Sequence, residues 1–212
     1  GRSGPHLMDP KDKKINIFLA ILVPFSLAAL AWALMGISAG RIDTGVITLT
    51  VLTVFCSCYL RIQLPRVNTH LTISDALIML AMLLYGGEVA VLLVIVETAV
   101  ASLNLMRQGV RIRVKTIFFN VMTNAIAVFA AAKAVWFIFG STDLVLQRGD
   151  FTSFVWLLTV IAVALFAVNS GLVAVFSAIK QDKKTLWKVW TENCFDAVLM
   201  YVVGAVMAGI IV

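Results

Sequence analysis

The chain reads as an all-α membrane protein, a polytopic transmembrane helical bundle of about seven membrane helices, one of them short, with a small interfacial β-hairpin-like segment. Three observations predict this. Hydrophobic residues make up 61% of the 212 positions and charged residues only 13%, against about 25% in soluble proteins. Several runs reach the ~20 apolar residues that span a bilayer core. The remaining charges gather in short segments between those runs. A soluble helical domain would need polar helix faces, and these runs have none.

Residues 1–8 have the look of an expression-tag remnant, which leaves 9–212 as a single transmembrane domain. The first span covers 15–37, entered from Lys11, Lys13 and Lys14, with Pro24 as a kink position. It is too long for a signal-peptide core and no small-residue cleavage site follows, so it stays as an anchor. Arg41 and Asp43 mark a polar loop, and 44–60 form a shorter, β-branched second span. Residues 61–74 then alternate polar and apolar side chains around Pro65 and Asn68. Alternation at period two around turn residues predicts the short hairpin, whose strands must pair because lipid cannot satisfy their backbone.

Two apolar helices follow, 73–84 and 88–106, folded back on each other at Tyr85-Gly86-Gly87. The first has no polar face beyond Asp75 at its start and is too short to cross a full bilayer straight. A basic loop from Arg107 to Lys115 leads to the fifth span, 116–139. A weakly charged loop carries Asp143, Arg148 and Asp150, and 153–179 form the sixth span. Lys180, Lys183 and Lys184 precede an amphipathic piece, 185–190, whose Trp187 and Trp190 suit the headgroup region; the last span runs over 191–212.

If every span crosses, Lys11–Lys14, Arg61, Arg66, Arg107–Lys115 and Lys180–Lys188 fall on one side, while Arg41 and Arg148 fall on the other. The basic side is then cytoplasmic, with the N-terminus. The net charge of +6 therefore speaks of topology and anionic lipid, and no nucleic acid is expected as a partner. Seven crossings would end outside, in the apolar run Ile210-Ile211-Val212, so a further helix and a cytoplasmic domain are expected beyond it. Cys56, Cys58 and Cys194 lie inside apolar segments and lack the ligand spacing of a metal site; they read as packing residues.

The polar residues inside the spans are the candidate site. Glu97 lies near the midplane, where an acid needs a proton, a cation or several donors. Asn104 is seven residues on, and Asn120, Thr123 and Asn124 share one face of the fifth span. Asn169 lies in the sixth span, and Asn193 and Asp196 open the last. These groups concentrate in the cytoplasmic half; Lys133 is the one intramembrane cation, closer to the outer face, and a candidate counter-charge for Glu97. Two readings stand side by side: helix–helix hydrogen bonds, or a pocket for a small molecule or lipid formed by Glu97, Asn104, Asn120, Asn124, Asn169, Asn193 and Asp196. No catalytic constellation, phosphate loop or metal cluster is present, so neither an enzyme nor a cofactor is predicted. Asp75, Glu192 and Asp196 are the only candidates for lipid chemistry at the interface.

Several short motifs resemble a known family. Leu60-Arg61-Ile62-Gln63-Leu64-Pro65, Leu71-Thr72-Ile73-Ser74-Asp75-Ala76 and Leu84-Tyr85-Gly86-Gly87 are similar to the MASE-type membrane sensory region that precedes GGDEF or HD/HD-GYP domains in bacteria. Phe118-Phe119-Asn120, Val168-Asn169-Ser170-Gly171 and Trp190-Thr191-Glu192-Asn193 extend the resemblance, which covers about 44–205. It implies an inner-membrane sensor or anchor, acting as a homodimer on a cytoplasmic GGDEF or HD-GYP output domain that turns over cyclic-di-GMP. The strand-plus-hairpin pattern is also similar to the substrate-binding subunits of energy-coupling-factor vitamin transporters. There the pocket opens outward, whereas the polar residues here lie inward, and the small-residue coupling faces are poorly matched by Ala130-Ala131-Ala132.

Overall fold

In the computed structural model, described for residues 10–37, 42–59, 61–63, 70–110, 112–181 and 185–212, eight helices account for nearly all of the described chain. They are α1 (Pro10–Gly36), α2 (Thr44–Tyr59), α3 (Ile73–Tyr85), α4 (Gly87–Arg107), α5 (Val114–Phe139), α6 (Thr142–Arg148), α7 (Phe151–Gln181) and α8 (Leu186–Ile211). Four of them, α1, α4, α5 and α7, are long and apolar enough to cross a membrane, while α2, α3 and the Tyr201–Ile211 part of α8 are shorter apolar segments. The chain is therefore a helical membrane protein.

The fold is built around α3. Ala76, Leu77, Ile78, Met79, Leu80, Ala81, Met82 and Leu83 are all buried, on every face of the helix. A helix that is apolar all round must be enclosed. Here α2, α4 and α8 pack against it, and the layer runs on from α4 through α5 and α7 to α8. The turn into α4 depends on Gly86, whose φ of 89° lies where a side chain would be strained. At Gly87 the first turn of α4 touches α5, and an added Cβ would collide with that of Ala132.

Between α2 and α3 the backbone of Arg61–Gln63 (β1) pairs antiparallel with His70–Thr72 (β2), in the register Ile62 opposite Leu71. Residues 64–69, where the turn of the expected hairpin falls, lie outside the described residues.

Three elements differ from expectation. The loop before the sixth span contains α6, capped by Ser141, whose hydroxyl accepts from the Leu144 amide at 3.3 Å, and ended by Gly149 at φ 61°. A capping Ser and a left-handed Gly eight residues apart are a helix signal that low hydropathy hides. The amphipathic piece and the last span form one helix, α8, because no residue between Trp190 and Glu192 breaks it. Helix α1 starts at Pro10, where the missing amide hydrogen is harmless, and runs unbroken through Pro24.

The starts of α1 and α5 meet at one end of the bundle. Lys115 at the start of α5 donates to Asn16 Oδ1 near the start of α1 at 2.8 Å. Beside them Phe119 stacks on Phe176 of α7, ring centroids 3.9 Å apart, within a cluster that includes Ile15 and Leu22 of α1.

Two consequences are testable. Gly87→Ala forces α4 away from Ala132 and is expected to destabilise the bundle by roughly 1–3 kcal/mol, although alanine favours helix. The melting temperature of the purified protein should fall accordingly. At the other loop, Asp150 caps α7 by accepting from the Ser153 hydroxyl at 2.7 Å and from the Ser153 amide at 3.0 Å. Those hydrogen bonds, the hydroxyl's first, hold its carboxyl below the ordinary carboxylate value. A depressed carboxyl stabilises the fold at all pH above its ordinary value and loses that contribution as pH falls through the lowered one. Wild-type melting temperature should therefore drop on acidification through that window more steeply than that of Asp150→Asn.

Candidate functional site

The polar end of the bundle holds a cavity of ≈ 370 Å³. It exists because α3 is short. Its 13 residues rise about 20 Å, against a bilayer core of about 30 Å. The cavity lies at the N-terminal end of α3, walled by Ser74, Asp75 and Ile78. One stripe of α4 supplies Val94, Glu97, Thr98, Ala101, Ser102 and Leu105; one stripe of α5 supplies Phe119, Asn120, Thr123, Asn124, Ala127 and Val128. Both stripes follow the three-and-four spacing of a helix face. Leu165, Asn169 and Val173 of α7, Ser57 of α2 and Tyr201 of α8 complete the wall.

Within the wall the polar groups are connected. The Asn124 amide donates to the Thr98 hydroxyl at 3.0 Å, and that hydroxyl donates to Glu97 Oε2 at 3.0 Å. Glu97 is 7% exposed, so this chain gives a buried acid part of the hydrogen bonding it requires. Across the cavity the Asn169 amide donates to the Tyr201 hydroxyl at 2.7 Å, joining α7 to α8. Nearer the α8 start, Trp190 Nε1 donates to Ser170 Oγ at 3.1 Å.

Thr123 stands out among these groups. It is 1% exposed, it lines the cavity, and its hydroxyl has no hydrogen-bond partner. Thr48, Thr50, Thr53 and Thr159 each donate to the carbonyl four residues back, at 2.7–2.8 Å, the usual refuge of a threonine in an apolar helix. Thr123 does not take it.

Of the residues singled out in the sequence, Glu97, Asn120, Asn124 and Asn169 come together here, with Asn120 exposed at the rim. Asn104 does not join them. Seven residues along a helix fall short of two full turns by about 20°, which puts Asn104 just past Glu97 on the side away from Thr98. Its amide instead donates to the Cys58 carbonyl in the last turn of α2, at 3.4 Å. Asn193 and Asp196 lie on α8, but their side chains are outside the described residues. Lys133 is not a partner for Glu97. It sits nine residues beyond Asn124, at the far end of α5, with its ammonium 4.3 Å from the centre of the Trp32 ring. Among the described residues no group of three metal-ligating side chains occurs. Cys56 and Cys58 are free thiols.

Thr98, Ser102, Ser57, Ser74 and Tyr201 were not foreseen as wall residues. Thr98 and Ser102 share the Glu97 stripe by spacing and were open to discovery from it. Ser57 and Tyr201 reach the cavity only through the packing of α2 and α8 around α3. Comparison with protein-family models, with curated proteins and with solved structures finds no match to this chain.

The two threonines should respond oppositely to substitution by valine. Thr98→Val breaks the chain from Asn124 to Glu97 and should destabilise by about 1–3 kcal/mol, whereas Thr123→Val removes an unpaired group and should be neutral or stabilising in the empty protein. Thermal melts of both variants check this.

Proposed function

We propose that the chain is the membrane-embedded sensor and anchor domain of a bacterial signalling protein, and that the polar cavity is its ligand site. One observation carries the reading: a buried glutamate, a leftover hydroxyl and three amide side chains line a ≈ 370 Å³ space inside an otherwise apolar bundle. Helix packing alone requires no such space. The Asn104–Cys58 contact is an example of polar packing that closes directly, helix to helix.

In this reading the domain sits in the inner membrane with its basic end, the N-terminus included, in the cytoplasm. Crossing by α1, α2, α3, α4, α5, α7 and α8 puts every cluster of Lys and Arg on that side, and the cavity lies in the same half. The signal leaves through α7 and α8, which the Asn169–Tyr201 bond ties together at the cavity wall. A ligand that favours one arrangement of this pair over another shifts their equilibrium by its difference in affinity. The motif resemblance supplies the output: a cytoplasmic GGDEF or HD-GYP domain of cyclic-di-GMP turnover, acting in a homodimer.

Native mass spectrometry of the protein, released gently from detergent, tests the central claim. A specific small molecule or lipid is expected on wild type and is expected to be lost, by tenfold or more in occupancy, from Glu97→Gln. Bare protein in both samples makes the domain a structural anchor with Glu97 as a packing group.

A further inference from the structure

The charge and hydrogen-bond capacity of the cavity wall point to the chemistry of its occupant. This inference rests on the cavity being a ligand site and narrows what it takes. Two acids, Asp75 and Glu97, line the space, and among the described residues no Lys, Arg or His does. An anion would meet the Glu97 carboxyl group, whose hydrogen-bond partner among the described residues is the neutral Thr98 hydroxyl.

Two oxygens of the wall are open to a donor. The Thr98 hydroxyl gives its proton to Glu97 Oε2 and accepts from the Asn124 amide. Among the described residues nothing donates to the other oxygen, Glu97 Oε1. Thr123, the neighbour of Asn124 in the chain, presents a hydroxyl oxygen with no partner. An ammonium group brings three N–H donors and no acceptor, which matches a carboxylate oxygen, a hydroxyl and one further oxygen of the wall. The rest of the wall suits an apolar body with a cationic head: Ile78, Val94 and Leu165 are aliphatic, and Phe119 and Tyr201 are aromatic. A volume of ≈ 370 Å³ lies at the small end of ligand pockets, about 300–1,000 Å³.

We propose that the cavity binds a primary ammonium group, held by Glu97 and Thr123. Either a small free amine or the amine of a lipid headgroup carries that chemistry.

The test places the protein in nanodiscs of phosphatidylcholine and measures thermal shift with n-alkylammonium ions of two to six carbons, the matching carboxylates and the matching alcohols. The alkylammonium ions are expected to raise the melting temperature saturably, and the other two series are not. Glu97→Gln should weaken the ammonium affinity by about tenfold or more, and Thr123→Val by about threefold to tenfold. Thr123→Val keeps the shape of the wall and so reads the site even where Glu97→Gln folds poorly. A second set of nanodiscs, containing phosphatidylethanolamine, separates the sources: a Glu97-dependent rise without added amine assigns the headgroup. Equal stabilisation by alcohols or carboxylates overturns the ammonium assignment and leaves a ligand cavity standing. No Glu97-dependent shift with either amine source overturns it as well, and native mass spectra bare of any ligand then overturn the ligand site itself.

Discussion

The enclosure of α3 is the constraint on which the rest of this molecule depends. A helix with apolar side chains on every face gains nothing from lipid on one side that protein does not also supply, so dispersion and close packing decide its place. Met79, Met82 and Leu83 are fully buried, and α2, α4 and α8 close around them. Because α3 turns directly into α4 at Gly86 and Gly87, its depth is fixed from the end opposite the cavity. The shortfall in its length therefore appears at the other end, where Ser74 and Asp75 face open space.

That space explains the distribution of polar groups. Side chains facing lipid must be apolar, but those facing a cavity need not be, and the α4 and α5 stripes carry Glu97, Thr98, Ser102, Asn120, Thr123 and Asn124 where they meet it. The opposite end of the bundle uses a different device. Lys133 lies against the Trp32 ring, with Phe129 and Trp136 near it, so its charge is met by aromatic faces and not by an acid. Glu97 and Lys133 thus have separate environments. Treating them as a pair because both are rare in the membrane joins residues that the helix rise keeps apart.

The membrane class, the approximate positions of the helices and the α3–α4 turn were all legible in the sequence. They follow from run length and from two adjacent glycines, and these are local properties. The stripe of Asn120, Thr123 and Asn124 was legible for the same reason, since helical spacing is set by the backbone alone. The α6 helix was less visible, because its capping residues lie in a stretch of loop-like composition.

What only the tertiary structure decided is which stripes face one another. Asn104 and Glu97 are nearly in line along α4, yet Asn104 reaches the end of α2 while Glu97 lies against α5 partners, a consequence of where neighbouring helices sit. Tyr201 enters the wall from a helix more than a hundred residues from Glu97 in sequence because α8 packs on α3. The leftover hydroxyl of Thr123 is likewise invisible in a chain where other threonines bond their own helix. Local spacing sets what each helix can offer; the shortness of a buried neighbour decides where the space is to receive it.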